Sequence, residues 1–221
     1  MSKGAATREA ILDVALAQSS ADGLEALSIG SLAQAVGLSK SGLFAHFGSK
    51  EELQLAVLRT ARDRFVADVV SPALREPRGE PRLRALLERW LVWTQSSFLP
   101  GGCPFVAAAA ELDDRPGPAR DFLAQSQRDW LDALAQAARI AVAEGHLEPD
   151  LDAEQLVFEL YGAALGFHQF QRLLGDPQAF DRCRQAFDSL IERHKPTQDR
   201  ARSPRRRVSG SSRSPRARRA R

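Results

Sequence analysis

Groups that donate hydrogen bonds to anions are concentrated between residues 39 and 50. Ser39, Lys40, Ser41, His46 and Lys50 supply hydroxyl, ammonium and imidazole donors in this short stretch. Such donors bind the phosphate oxygens and the base edges of double-stranded DNA. Catalysis has less support, because the four histidines have no carboxylate or cysteine partner in a recognisable motif and the two cysteines are 80 residues apart. We therefore expect a DNA-binding protein that is not an enzyme and has no metal site and no cofactor.

Two short helices joined by a tight turn are predicted to position these groups. Ser28 is a favourable N-cap for the first helix, and the apolar positions of residues 29–36 recur on one helical face. Gly37 favours the left-handed conformation that ends a helix. Ser39 can cap a second helix that runs to about Phe47, and the glycine and serine beyond it can end that helix and cap a third. This spacing is typical of a helix-turn-helix motif, whose second helix enters the DNA major groove.

The run GLFAHFGSKEEL, residues 42–53, resembles the recognition helix and the following helix start of TetR-family transcriptional regulators. Residues 7–22 resemble their first helix, and the close resemblance covers about residues 7–58. It implies a homodimer on a pseudo-palindromic DNA operator, released when a small-molecule effector binds in a C-terminal domain. Repression is the expected mode, since a dimer over a promoter blocks polymerase without further contacts. The sequence reveals neither the operator, the regulated genes nor the effector.

Within the motif, the exposed front of the second helix is expected to read bases. Lys40 can donate to guanine, whereas Gly42 and Ala45 offer little more than close approach. Lys50 lies at a helix N-terminus, where backbone N–H groups and the helix dipole favour a phosphate. His46 matches the family histidine that contacts phosphate, and a solvated surface histidine is the competing interpretation.

Two residues depart from the family pattern. Phe44 stands where a tyrosine is usual, and Ala45 stands where larger residues are common. We therefore expect few direct base contacts and a larger share of specificity from DNA shape. The complete set of predicted DNA-binding residues is Ser28, Ser39, Lys40, Ser41, Gly42, Phe44, Ala45, His46, Ser49 and Lys50.

Helical patterns continue beyond the motif without β-type alternation, so the chain is predicted to be all-α with about nine helices. Residues 1–50 are expected to form a three-helix DNA-binding head, with the start of a connector helix to about residue 58. Residues 51–194 are expected to form a helical regulatory and dimerisation domain, and residues 195–221 a disordered tail rich in Arg, Ser and Pro. A cytoplasmic protein without membrane contact is expected, because neither a spanning segment nor an apolar signal segment is found.

The charge of the chain is distributed unevenly. Residues 195–221 hold 11 of the 31 basic residues and one acid, hence a net charge of +10, which leaves −7 for residues 1–194 of a chain whose total is +3. The tail can add non-specific phosphate contacts and steepen the salt dependence of DNA binding. Two alternatives stay open: a solvated extension without a specific role, and a non-specific or architectural DNA binder that the tail drives.

Aromatic residues on several helices of the second domain predict the wall of an effector pocket. Core packing is the competing interpretation for most of them. An apolar or aromatic effector is expected, because no cluster of charged residues in this domain indicates a charged one. The candidates are Trp90, Trp93, Phe98, Phe105, Phe122, Trp130, Phe158, Tyr161 and His168.

The helix predicted from Ala153 to Leu174 is apolar nearly all round and needs cover on more than one side. The last helix can cover part of it, and the rest can face an identical helix pair. The family resemblance implies this arrangement, a four-helix bundle across a two-fold axis. The predicted interface residues are Leu156, Leu160, Phe167, Phe170, Phe180, Phe187, Leu190 and Ile191.

Overall fold

The computed structural model describes residues 3–196, and all regular structure in that range is helical. A π-helical turn, Val66–Val70, joins the helix that ends at Phe65 to the one that begins at Ser71, so these form one continuous rod and the described range contains nine separate helices. The predicted all-α chain with about nine helices is confirmed. Residues 197–221, most of the tail that was predicted to be disordered, lie outside the described residues. The helical segments are α1 (Lys3–Asp22), α2 (Ile29–Ala35), α3 (Lys40–Phe47), α4 (Lys50–Phe65), α5 (Ser71–Ala73), α6 (Glu80–Trp93), α7 (Pro104–Leu112), α8 (Pro118–Ala143), α9 (Ala153–Arg172) and α10 (Ala179–Arg193).

Helices α1 to α3 and the start of α4 enclose a small apolar core. Each helix contributes leucine or isoleucine side chains that are almost completely removed from water. This burial is the main force that holds the short α2 and α3 in place, because isolated helices of seven or eight residues are unstable in water. The most deeply buried members are Ile11, Leu16, Leu32, Leu43 and Leu53.

The π-helical turn between α4 and α5 follows from Pro72. Proline has no N–H to donate to the carbonyl four residues back, and its ring would clash with that carbonyl in a regular α-helix. Here the N–H of Ser71 instead donates to the carbonyl of Val66, five residues back. Phe65, Val69 and Ala73 follow one another at four-residue steps along this rod, and all three are buried.

Helix α8 runs through the centre of the C-terminal body. It is the longest helix, with 26 residues, and it packs against α4, α6, α7 and α9, while α9 and α10 pack closely on each other. Edge-to-face contacts of the Phe65 ring with Trp93, Phe105 and Trp130, at centroid distances of 5.5, 6.1 and 4.9 Å, form the aromatic centre of this body. None of the helices in the described range is long and apolar enough to cross a membrane.

Two sets of hydrogen bonds fasten the end of α1 to the body, and we call them together the head–body joint. The Ser20 hydroxyl donates to the carbonyl of Gly102 and accepts from the N–H of Gly101, both at 2.9 Å. The backbones lie so close here that a Cβ on Gly101 would overlap the Ser20 carbonyl. At the other end of α7, the Glu111 carboxylate accepts from the backbone N–H groups of residues 24 and 25, at 3.1 and 2.7 Å.

Candidate DNA interface and effector pocket

Three serines start the helices of the head. The hydroxyls of Ser28, Ser39 and Ser49 each accept a hydrogen bond from the backbone N–H three residues further on, at 3.1, 3.0 and 3.0 Å. Each has the extended backbone of an N-cap, a contact typically worth about 1 kcal/mol. The three caps predicted from the sequence are therefore confirmed, and they fix where α2, α3 and α4 begin.

Helix α3 turns one face into the core and the other to solvent. Leu43 and Phe47, four residues apart, are buried, whereas Lys40, Ser41 and Ala45 are exposed. The polar and small residues that were predicted to read bases thus lie on one outward face. The two buried side chains fix the helix against the core, so its outward face has a defined orientation.

Phe44 is the most prominent apolar group of that face, with 52% of its surface exposed. Together with Ile29 and the exposed residues of α3 it lines a shallow groove between α2 and α3. The Lys40 side chain lies along Gly30, where a Cβ would come within 3.1 Å of its Cε atom. An exposed phenylalanine on a DNA-facing helix can contact a thymine methyl group but cannot donate to a phosphate.

His46 is half-buried, next to the Phe47 ring at a centroid distance of 6.3 Å. The guanidinium of Arg8, from α1, lies over the same Phe47 ring at 5.1 Å. Arg8 was not among the predicted residues, because its sequence position on α1 does not reveal that it comes beside the end of α3. Gly42 is also half-buried, since a Cβ there would come within 3.1 Å of the Ser39 hydroxyl.

Lys50 contacts Glu25 in the loop between α1 and α2. Its Nζ donates to the Glu25 carbonyl at 2.6 Å and lies 3.5 Å from the Glu25 carboxylate. Gln54 donates to the same carboxylate at 2.9 Å, and Arg115 forms an ion pair with it at 3.1 Å. The hydrogen bond from Gln54 and the charges of Lys50 and Arg115 hold the pKa of Glu25 below its usual value, against the opposing effect of partial burial.

A partly open cavity lies in the C-terminal body. It leaves about 30 Å³ accessible to the centre of a water molecule, which is room for about two waters. A larger compound therefore has to displace part of the wall. Five aromatic side chains line it: Phe65, Trp90, Phe105, Trp130 and Tyr161. The remaining lining residues are Arg62, Cys103, Val106, Ser126 and Gln127.

The interior of this cavity is uncharged near neutral pH. Burial raises the pKa of the Cys103 thiol and that of the Tyr161 hydroxyl, so both groups keep their protons. Gln127 donates weakly to the Phe105 carbonyl, at 3.5 Å. Among the described lining residues, Arg62 supplies the charge, and its exposed side chain places that charge at the mouth.

Comparison with protein-family models identifies two matching regions. Residues 11–57 match the model described as bacterial regulatory proteins, tetR family, and residues 79–187 match the model described as tetracyclin repressor-like, C-terminal domain. Together the matches cover more than half of the chain, and they divide it between the head and the body described above. The chain belongs to the TetR family. Proteins of this family are transcriptional regulators that bind DNA and in general respond to ligands.

Solved structures of TetR-family proteins are similar to the whole described fold. A TetR transcriptional regulator from Chloroflexus aurantiacus J-10-FL is 25% identical, with a TM-score of 0.77, and the match covers 87% of this chain and 96% of that one. A putative regulator from Saccharomonospora viridis, solved with choline, is 24% identical with a TM-score of 0.70, covering 85% and 96%. AibR, solved with isovaleryl coenzyme A and operator DNA, is 23% identical with a TM-score of 0.67, covering 86% and 98%. No curated protein sequence matches significantly.

In this TetR-family chain, four of the nine predicted pocket residues line the cavity: Trp90, Phe105, Trp130 and Tyr161. Trp93 is buried behind them, with its ring between Phe65 and Phe98, and Phe122 lies outside under the guanidinium of Arg62 at 5.1 Å.

His168 and Phe158, both on α9, also lie away from the cavity. His168 packs near Gly102, and burial together with nearby Arg172 lowers its pKa. Phe158 is 75% exposed and is not among the residues that line the cavity. The sequence pattern could not separate these residues, because α9 carries apolar side chains on more faces than the rest of the described chain covers.

The eight predicted interface residues divide by burial. Six are core residues of the single chain, namely Leu156, Leu160, Phe167, Phe187, Leu190 and Ile191, so they lie beneath the outer surface of α9 and α10. Phe170 is 46% exposed and Phe180 is half-buried. The apolar residues that face outward here include Phe158 and Leu165 on α9 and Leu173 directly after it, at 75, 41 and 71% exposure, none of which was in the predicted interface set.

Proposed function

We propose that this protein is a sequence-specific transcriptional repressor that acts in the cytoplasm. It binds a pseudo-palindromic operator as a homodimer and leaves the DNA when a small-molecule effector enters the cavity of the C-terminal body. The observation that carries the proposal is the outward face of α3, where Lys40, Ser41 and Ala45 are exposed on a helix anchored by Leu43 and Phe47.

DNA binding by this face needs both base contacts and phosphate contacts. Lys40 and Ser41 are the base-reading donors, and Phe44 and Ala45 offer apolar contact to thymine methyl groups. The N-terminus of α4, with the Ser49 cap and Lys50, binds phosphate. Since Lys50 is held by Glu25 in the described structure, it either exchanges that partner for phosphate or positions the loop beside the DNA.

Dimerisation through α9 and α10 is supported by the exposed apolar stripe on α9. Phe158 and Leu165 on α9 and Leu173, its C-cap, follow one another at seven- and eight-residue spacing, which keeps them on one side of the helix. Exposed apolar patches of this kind mark protein interaction sites. A groove of about 200 Å³ between α9 and α10, with Gly166 and Ala186 in its lining, gives an identical helix pair room to approach closely.

Release by an effector is supported by the position of α7. The first turns of this nine-residue helix line the cavity through Phe105 and Val106, with Cys103 as its N-cap, and its last turn carries Glu111, which holds the loop after α1. A compound that displaces Phe105 therefore pushes on the same helix that fastens the head. The effector releases DNA only in so far as it binds the displaced state more tightly than the closed one.

Footprinting on DNA that flanks the gene of the protein tests the proposal. We expect a protected pseudo-palindrome, whose affinity falls about tenfold or more in Lys40→Ala because a base contact of this type contributes about 1–3 kcal/mol. Arg75→Ala is the matched control, since it removes an exposed positive charge from the body. Equal affinities of the two variants would show that α3 does not read the operator.

A non-specific DNA binder driven by the basic tail is the second candidate, and the +10 charge of residues 195–221 favours it. It predicts diffuse protection that disappears when the chain is truncated after Pro196. A repressor whose tail only adds phosphate contacts keeps its palindrome after truncation and shows a shallower salt dependence of the affinity. An unchanged salt dependence would mean that the tail takes no part in binding.

A further inference from the structure

We propose that the cavity takes a small carboxylic acid with an apolar or aromatic body, and that Arg62 binds its carboxylate. The inference rests on the proposed function in so far as this ligand would be the effector. It replaces the expectation from the sequence of an uncharged compound. Three observations carry it: the polarity of the wall, the position of Arg62, and the weakness of the contacts that Arg62 now makes.

The wall separates an apolar interior from a positively charged mouth. Phe65, Phe105 and Trp130 present rings that meet edge to face, which suits a planar or aliphatic group of similar size. None of the described lining residues is acidic, and the thiol and phenol groups that face the interior are neutral. An aromatic wall of this kind can also hold a quaternary ammonium ion, but a cation there would find no acidic residue in the lining and would lie near the Arg62 charge.

Arg62 is oriented rather than free. Its guanidinium stacks over the Phe122 ring at 5.1 Å, and its Nε and Nη2 atoms donate to Asp63 at 3.1 and 2.8 Å. The Arg62 and Asp63 side chains are 44 and 68% exposed, so their ion pair is a solvent-screened contact of small net strength. Among the described residues none accepts from Nη1. A ligand carboxylate at the mouth can therefore bind Nη1, or replace Asp63, at little cost, and it gains a charge-assisted hydrogen bond.

The small volume of the cavity limits the size of the ligand. About two waters fit there, so a single ring or a short chain already displaces part of the wall. Helix α7 carries Phe105 and Val106 into the wall, so displacement of the wall on this side moves that helix. Small monocarboxylates with one ring or a short alkyl chain are thus the class that fits with the least rearrangement.

The test is the affinity of the full-length protein for acids and for their neutral isosteres, measured by quenching of tryptophan fluorescence, since Trp90 and Trp130 line the cavity. The probes are benzoate, phenylacetate and 4-phenylbutyrate, each paired with its primary amide, and benzyltrimethylammonium as the cation. We expect at least one acid to bind about tenfold or more tightly than its amide, because a hydrogen bond to a charged group discriminates to this extent. Arg62→Met should abolish the difference between acid and amide.

Arg59→Met is the matched control, because Arg59 lies on the same helix with its guanidinium 6.0 Å from the same Phe122 ring and does not line the cavity. It should keep the preference for the acid. Equal binding of acid and amide, tighter binding of benzyltrimethylammonium, absence of any binding, or equal effects of the two arginine variants would each overturn the inference. These outcomes leave operator protection by the ligand-free protein untouched, so a failure of the proposed repressor function is recognised separately, by footprinting.

Discussion

Replacing Ser20 with alanine tests whether the head–body joint holds the two parts of the protein together. Ser20 is 3% exposed, and its hydroxyl bonds both the N–H of Gly101 and the carbonyl of Gly102. The variant leaves these two buried backbone groups without that partner, at a cost of about 1–3 kcal/mol for each. The higher helix propensity of alanine offsets about 0.5 kcal/mol. We therefore expect the free energy of unfolding to fall by about 1.5–5.5 kcal/mol.

Ser19→Ala is an unusually close control for this change. Ser19 is the neighbouring residue, is also 3% exposed, and has a hydroxyl that donates only within α1, to the Leu16 carbonyl at 3.0 Å. Its removal leaves no group of the body unpaired, and alanine is again favoured in the helix. We expect a change below about 0.5 kcal/mol.

Urea denaturation of the wild type, Ser19→Ala and Ser20→Ala at one protein concentration measures the difference. Circular dichroism reports helix content, and tryptophan fluorescence reports the body, where all three tryptophans lie. The reasoning is refuted if Ser20→Ala is destabilised no more than Ser19→Ala. The head–body joint would then contribute little to the free energy of unfolding. The proposed coupling of the cavity to the head through α7 would lose its structural support.

Three further perturbations follow from the same structure. Gly101→Ala places a methyl group on the Ser20 carbonyl, and it should lower the free energy of unfolding, measured by urea denaturation, by more than about 3 kcal/mol. The control Gly4→Ala has open space around the new methyl group in α1 and should not destabilise the protein. The pKa of Glu25 is lowered, so its contribution is present above the usual 4.5 and is lost as pH falls through the lowered value. Glu25→Gln should thus destabilise near pH 7 and progressively less as the pH falls below 4.5, and an effect that stays constant over this range would contradict the argument. Leu165→Lys should give monomers in light scattering and lose the footprint, and a monomer that still protects the palindrome would contradict a dimer through α9.

The DNA-binding head was predictable because local chemistry sets each of its boundaries. Ser39 caps α3 through a hydrogen bond to a residue three positions away, and Gly48 ends the helix with a positive φ of 74°. Neither contact depends on a distant part of the chain. The buried face of α3 follows in the same way from Leu43 and Phe47, since residues four apart share a side of a helix.

The aromatic cavity of the body was predictable only in part, because it is built from contacts between distant helices. Aromatic residues mark the body as a whole, and nothing local to Phe122 or Phe158 shows that one lies outside the cavity and the other faces solvent. The polar lining was missed for the same reason. From the sequence alone, Arg62 and Gln127 look like surface residues of their helices. Only the packing of α4 against α8 shows that both line the cavity.

Helix α7 contributes to both the head–body joint and the cavity. A change in the joint should therefore alter operator affinity as well as the free energy of unfolding. If an effector binds the displaced state about a hundredfold more tightly than the closed one, it shifts the equilibrium by about 2.7 kcal/mol. This is of the same size as the cost expected for Ser20→Ala. The variant should therefore imitate the effector: operator affinity should already be lowered without ligand, and adding ligand should lower it by a smaller factor than in the wild type. Ser20→Ala with normal operator affinity and a full response would instead show that the heads are released by a route that bypasses the joint.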